Sequence, residues 1–439
     1  MDPMRENCLN ESERFWRLCR EGSWVILGQT AVVVGALVGV RLLTELMKPA
    51  AYGELALGMT VATLVDQVIL GPLGNGVARF YAPACEVGDL RGFLTVVRRM
   101  MLSATAGIML VGMLLVVALA IGGLTEWLGL AGSVLIFALL SGHNSILNGI
   151  QNSARRRSVV ALHQGMEYWA RFLIAAGLMV LLGATSTMAM VGFAVGAILV
   201  IGSQYLFFPQ IFSKNGTEFG NGRRWSEQIR KYSWPIATWG IFTWAQQASD
   251  RWALGFFTTV QDVGLYAVLF HLGYSPMSKA TVIAMQFFTP IFYQRVGDAS
   301  DSGRNASVNN LSWSLTWLAL GVTVLAFLVA FMFHTQIFRI IVAKEYASVS
   351  HLLPWMLLAS GVFAAGQTIA LNLMSQMKTQ TMTFAKIMTA LLGIIFNVAG
   401  AHWYGITGIV IAGVLFSLMY FLWMVVISNT LEEVPVRAS

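Results

Sequence analysis

Ionisable and amide side chains recur at helical intervals inside long apolar stretches of this sequence. His163, Glu167 and Arg171 stand at i, i+4 and i+8, one face of a helix on which the carboxylate can reach the guanidinium. Thr243, Gln247 and the adjacent Asp250 and Arg251 form a second stripe, with Gln246 beside it. His271, Ser275 and Lys279 form a third, close to Tyr274 and Pro276. Thr63, Asp66 and Gln67 mark a fourth stretch, and Asn144, Asn148 and Gln151 a fifth. A charge in hydrocarbon costs roughly 2.5–3.5 kcal/mol on insertion scales, so each such residue needs a partner or a wet cavity. The neutral 144–151 group is read more simply as helix-to-helix hydrogen bonding, worth about 0.6 kcal/mol per bond. Lys279, Asp66 and Arg171 fall near the middle of their stretches, where a cavity explains them better than cohesion does. Arg41 and Arg251 fall near the far ends of theirs and have the alternative of snorkelling to an interface as anchors.

The elements that carry these stripes are membrane spans. The 439 residues are 56% hydrophobic and 11% charged, and their mean hydropathy of +0.67 lies outside the range of a soluble domain. Stretches long enough to cross the bilayer recur at 24–44, 53–76, 100–122, 128–150, 163–183, 187–208, 233–257, 264–292, 312–334, 350–374, 381–403 and 406–428. The fold class is therefore an all-α polytopic membrane protein. The charged lead 1–21 has no small-residue cleavage site after it and is read as retained. Arginine and lysine alternate sharply between the two sets of loops: Arg98, Arg99, the run Arg155, Arg156 and Arg157, Lys214, Arg223, Arg224 and Arg437 lie on one side, against Lys48, Arg339 and Lys344 on the other. Positive charge collects inside, which predicts both termini in the cytoplasm. The net charge of +7 is explained by these loops and does not call for nucleic acid. Cys8, Cys19 and Cys85 all fall on the basic side and suggest neither a disulfide nor a metal site. No phosphate-binding loop, paired metal-ligand spacing or nucleophile elbow is present, so neither an enzyme activity nor a cofactor is expected.

The stretch 209–232 is the longest polar connector and lies at mid-chain, dividing a cytoplasmic N-terminal segment (1–22) and spans 1–6 (23–208) from spans 7–12 (233–428) and a tail (429–439). A faint repeat supports the division. Ser23 and Trp24 precede Arg41 by the same interval by which Ser233 and Trp234 precede Arg251. Tyr52-Gly53-Glu54-Leu55 in the first half then corresponds to Val263-Gly264-Leu265-Tyr266 in the second. Duplicated halves with a path between them are a transporter arrangement. Pro276, three residues before Lys279, is expected to kink its span.

The run Arg41-Leu42-Leu43, followed by Ala51-Tyr52-Gly53-Glu54-Leu55-Ala56-Leu57 and Gly74-Asn75-Gly76-Val77-Ala78-Arg79-Phe80-Tyr81-Ala82, resembles the opening of bacterial polysaccharide biosynthesis flippases, the Wzx-like branch of the MOP superfamily. Ser249-Asp250-Arg251-Trp252-Ala253-Leu254-Gly255 and Asp262-Val263-Gly264-Leu265-Tyr266-Ala267 resemble the start of that family's second half. Met47-Lys48 departs from the family's usual Leu-Gly. The resemblance implies two six-helix lobes around a central cavity lined by spans 1, 2, 7 and 8. It further implies transfer of undecaprenyl-pyrophosphate-linked oligosaccharide across the bacterial inner membrane, with membrane lipids and other polysaccharide assembly proteins as partners. On that reading Arg41, Arg171, Arg251 and Lys279 attract pyrophosphate and acidic sugars. Asp66, Glu167 and Asp250 balance charge or take up protons or sodium, and Thr63, Gln67, Gln247, His271 and Ser275 complete the polar lining. The glycan destined for O-antigen, capsule or exopolysaccharide is not specified. The rival readings are a multidrug or cation antiporter of the related MATE branch and, in another class, a membrane-embedded glycan polymerase or ligase, which needs an outer loop larger than any here.

Overall fold

The computed structural model describes residues 11–207, 222–297, 301–376 and 379–432. Cys8, Lys214, Arg437, much of the expected connector and the end of the tail lie outside the described residues. The described chain is helical throughout: α1 (Glu11–Leu46), α2 (Pro49–Val65), a π-helical segment (Asp66–Leu70), α3 (Gly71–Glu86), α4 (Leu90–Ile121), α5 (Leu128–Ser153), α6 (Arg157–Leu182), α7 (Ser186–Phe207), α8 (Gly222–Phe257), α9 (Val260–Val296), α10 (Ser302–Ile341), α11 (Leu353–Ser375) and α12 (Thr379–Glu432). Within the described residues nine helices are long and apolar enough to cross a membrane. Two of the twelve sequence spans fall below that threshold, because α8 and α9 carry the polar stripes. The range α12 holds two more, one on each side of Gly405, whose non-helical backbone (φ 56°, ψ −132°) turns the chain back. On α4, Leu110, Val111, Met113 and Leu114 are exposed. An apolar surface of this kind implies lipid as its solvent.

The chain separates into two compact units, one of residues 1–46 and 58–241, the other of 47–57 and 242–439. The crossings between them therefore fall in the short α1–α2 connection and inside α2 and α8. In the first unit, Leu70, Val77, Phe93, Ile146, Ile150 and Trp225 share one core. Trp225 also donates from Nε1 to Asp89 (2.9 Å), and Trp169 of α6 donates to the Ala31 carbonyl of α1 (3.1 Å). Two of the three α5 amides bond across helices, as expected: Asn144 donates to the Ala197 carbonyl (3.1 Å) and Asn148 accepts from Gln204 (3.5 Å), both on α7, whereas Gln151 is buried with neither amide atom hydrogen-bonded among the described residues.

In the second unit Ile369, Ala385, Tyr420 and Met424 form one core, and Phe292, Val296, Val308 and Leu371 another. The start of α2 crosses α9 backbone to backbone. A Cβ at Gly53 would overlap the Val260 carbonyl oxygen, and a Cβ at Gly264 would overlap that of Pro49. The contact is reciprocal, since each glycine meets the residue four positions before the other. These are the two glycines of the faint repeat.

Candidate functional site

The α8–α9 hairpin builds a charged cluster in the second unit. Its turn is fixed by a capping box, in which Thr259 accepts from the Asp262 backbone (3.1 Å) while Asp262 accepts from that of Thr259 (3.3 Å). Asp250 and Tyr266 stand equally far from Thr258 on the two sides of this turn, and they meet. The Tyr266 hydroxyl donates to Asp250 Oδ2 (2.7 Å), and Arg251 Nη1 pairs with Asp250 Oδ1 (3.2 Å). The Arg251 backbone N–H also donates to Asp250 Oδ1 (2.6 Å), and Asp250 is only 6% exposed, so the carboxylate depends on these three donors in place of water. Arg251 Nη1 also reaches the Gln247 carbonyl (3.3 Å). The guanidinium lies 4.4 Å from the Phe270 ring centre and 5.9 Å from that of Tyr266, and Phe270 stacks on Tyr274 at 4.9 Å. A guanidinium carries five N–H donors in a planar fork. Among the described residues, Nε and Nη2 of Arg251 donate to no other group and remain for an acceptor from outside. Next to the pair, Ser249 accepts from Asn397 of α12 (2.8 Å). Ser275 and Lys279 are half-buried further along α9, and His271 is exposed. The helix runs unbroken through Pro276.

The first unit places its charges differently. Asp66 opens the π segment, in which the Gly71 N–H donates to the Asp66 carbonyl, five residues back. The cause is local: Pro72 has no N–H for Val68, and its ring would crowd the carbonyl one α turn earlier, so an extra residue enters the turn. The widened turn meets α8 at Gly240, where a Cβ would overlap the Gln67 carbonyl oxygen. The Pro72 carbonyl accepts from Ser233 of α8 (2.8 Å). Glu167 accepts from Ser141 (3.3 Å) and lies within electrostatic reach of Asp66.

The Glu167–Arg171 pair that the spacing allows is not a direct ion pair within 4.0 Å, although the Arg171 charge still acts on Glu167, more strongly than that of Asp66. The Arg171 guanidinium instead lies over Tyr168 (4.0 Å), Phe172 (4.7 Å) and Phe193 (5.5 Å). Its Nε is buried without a hydrogen-bond partner. Helix α7 comes close enough at Gly196 to touch the Arg171 backbone, which puts Phe193 beneath the guanidinium. Arg41 is ion-paired with Glu45 one turn on, and Thr63 bonds to the Met59 carbonyl of its own helix (2.8 Å). His163 is likewise occupied, by the Val159 carbonyl (2.7 Å) and Ser203 (3.2 Å). Among the described residues no three His, Cys, Asp or Glu side chains are placed to hold a metal ion.

Sequence reasoning missed Tyr266, Phe270 and the π turn. Signals for two of them were present: residues 250 and 266 lie eight positions to either side of Thr258, and Gly71-Pro72 begins five residues after Asp66.

The model of the polysaccharide biosynthesis protein family matches residues 18–296, more than half of the sequence. The chain belongs to this family. The match spans α1 to α9 and so includes both charged clusters. Among curated proteins, none matches the sequence. The solved structures similar to this family member include the lipid II flippase MurJ in an inward closed conformation (13% identity, TM-score 0.68, covering 95% of this chain and 88% of that one). They also include an inward-facing multidrug resistance MATE family transporter of the MOP superfamily (13% identity, TM-score 0.66, 93% and 96% covered). A third is the Vibrio cholerae MATE transporter VcmN (14% identity, TM-score 0.59, 96% and 97% covered). At these identities the likeness establishes only the fold, which this chain shares with those transporters.

Proposed function

We propose that this chain flips an undecaprenyl-pyrophosphate-linked oligosaccharide from the cytoplasmic to the outer leaflet of a bacterial inner membrane. The observation that carries the reading is the Arg251 fork, in a member of the polysaccharide biosynthesis family. It is held in place by buried Asp250 and Tyr266, backed by Phe270, and has two nitrogens left for an acceptor. A bidentate acceptor such as a phosphate suits that geometry. Lys279, Arg171 and Arg41 add positive charge along the route, with Thr63, Gln67, Gln247, His271 and Ser275 as polar lining. Asp250 already accepts from three donors, so charge balance or uptake of a coupling proton or sodium ion falls to Asp66 and Glu167. The two six-helix halves alternate access by rocking, with both termini in the cytoplasm.

The test is the double variant Lys279→Ala/Arg171→Ala in a strain whose surface glycan depends on the protein. Loss of surface glycan with the protein still at normal level in the membrane is the expected result; normal glycan sinks the assignment of these cations. The MATE-like fold supports a second reading, extrusion of cationic drugs. In that case Asp66→Asn/Glu167→Gln raises drug sensitivity and leaves glycan untouched.

A further inference from the structure

Helices α6 and α7 touch backbone to backbone at one level and stand apart at another. A Cβ at Gly192 would overlap the Ala175 backbone, and one at Gly196 that of Arg171. Rings close this level: Phe193 packs on Phe172 of α6 (5.4 Å) and on Phe137 of α5 (5.7 Å). Two turns nearer the arginine run 155–157, the same helices meet through side chains, His163 Nε2 with the Ser203 hydroxyl (3.2 Å). The Val159 carbonyl accepts from His163 Nδ1 (2.7 Å), so in the neutral ring Nε2 accepts from Ser203. The pair thus opens toward the basic end of the bundle. Helix α5 borders the opening, since Ser141, Asn144 and Asn148 bond to Glu167, Ala197 and Gln204.

The opening is lined by amides that lack partners. Asn144, Gln151 and Gln204 are 0% exposed. Among the described residues, Asn144 Oδ1, Gln204 Oε1 and both amide atoms of Gln151 form no hydrogen bond. Nearly all buried polar groups in folded proteins have a partner, ordered water included. The Gln204–Asn148 bond, at 3.5 Å, is at the limit of direct contact and within the span of a bridging water. The four unpaired atoms include a donor as well as acceptors. Water serves both, whereas a cation serves the oxygens alone and an anion the N–H alone.

Ser141, Asn144, Asn148 and Gln151 fall at i, i+3, i+7 and i+10, one stripe of α5. The stripe runs from Glu167, just below the ring closure, to the last turn of α5. Two charges act on Glu167: Arg171, one turn along α6, and Asp66 of the π segment. Helix α7 carries no charged residue, and His143 of α5 is bonded to Thr105 of α4 (3.2 Å). Helix α1 meets α6 with its uncharged stretch 28–39.

We propose that the seam between α5, α6 and α7 binds a chain of water molecules that gives Glu167 proton access from the basic end of the bundle. A proton from bulk water passes along the hydrogen-bonded chain and adds to the Glu167 carboxylate, and it leaves by the same route. The proposed topology makes that end cytoplasmic. The route rests on the reading of Glu167 as a proton acceptor, but water in the seam does not require cargo.

The experiment uses the full chain in nanodiscs and follows the Glu167 carboxyl by infrared difference spectroscopy, with Glu167→Gln assigning the band. The perturbation is Gln151→Met, which keeps the length of the side chain and removes both amide atoms. After transfer to deuterated buffer, exchange at Glu167 should slow at least about tenfold in the variant, as expected when hydrogen-bonding groups are lost from the route. Exchange at the wild-type rate overturns the route and leaves Glu167 standing as a proton acceptor. A Glu167 carboxyl band absent across the pH range removes the acceptor reading, and the route falls with it. Wild-type protein supplies a measurement free of any folding defect. X-ray radiolysis in 18O-labelled water should mark His163, although it is 0% exposed, because the radical forms from water bound beside it. An unlabelled His163 overturns the hydrated seam.

Discussion

Replacing Tyr266 with Phe removes one hydroxyl and nothing else from a position that is 4% exposed. The ring keeps its packing, so no cavity arises, but Asp250 loses the donor on Oδ2 at 2.7 Å. A hydrogen bond to a charged group contributes about 1.5–3 kcal/mol. Asp250 keeps its pairing with Arg251 (3.2 Å), so the lower end applies, about 1.5–2 kcal/mol. That corresponds to a roughly 10- to 30-fold rise in the unfolded-to-folded ratio at about 1.4 kcal/mol per factor of ten. Purified protein in detergent should melt several degrees lower. The decisive arm is a double-mutant cycle with Asp250→Asn. Once the carboxylate is gone, Tyr266→Phe should cost less than about 0.5 kcal/mol, leaving a coupling of about 1 kcal/mol or more. Equal costs in the two backgrounds would show that the Tyr266 hydroxyl does not support the Asp250 charge, and the account of how Arg251 is positioned would fall with it.

Arg251→Lys keeps the charge but loses the planar fork over Phe270, a contact worth about 0.5–2 kcal/mol; glycan export should fall about tenfold at unchanged protein level, and full export would contradict phosphate recognition by the fork. Gly264→Ala places a methyl against the Pro49 carbonyl and should destabilise by at least about 1–3 kcal/mol, read as loss of folded protein on size-exclusion chromatography, with Gly53→Ala behaving alike. Gly240→Ala drives a methyl into the Gln67 carbonyl and should lower the thermal midpoint more than Gly107→Ala, where the added Cβ meets nothing within 4 Å; equal midpoints would deny the close approach of α8 to the π turn. In a Cys8→Ser/Cys19→Ser background the exposed Cys85 should react with an impermeant maleimide in inside-out vesicles and not in spheroplasts; the opposite pattern would invert the proposed topology.

The helices were legible because hydrophobic length and arginine-rich loops are local properties of the chain. The break between the last two spans was legible as well, since the expected spans 381–403 and 406–428 meet at Gly405, where the backbone leaves the helical region. Asp250 and Arg251 were visible as charges in an apolar stretch, but their geometry depends on a tyrosine sixteen residues on, and only the turn at Thr258 and Thr259 makes that pairing readable. Arg171 illustrates the opposite case. Its i−4 neighbour offered a carboxylate, yet the ring of Tyr168 and the approach of α7 at Gly196 give the guanidinium an aromatic bed that periodicity does not encode. Gly53 and Gly264 stood out as motif residues, while their mutual crossing follows from tertiary packing alone.

The widened turn at Asp66–Leu70 accommodates one residue more than an α-helix would. Excising a single position there would turn the wide turn into an ordinary α turn and leave the faces on either side of it in register, whereas the same excision within a regular stretch of α2 or α3 would shorten the rod by about 1.5 Å and rotate everything downstream by roughly 100°. The span therefore has one place where losing a residue leaves what α3 presents unchanged.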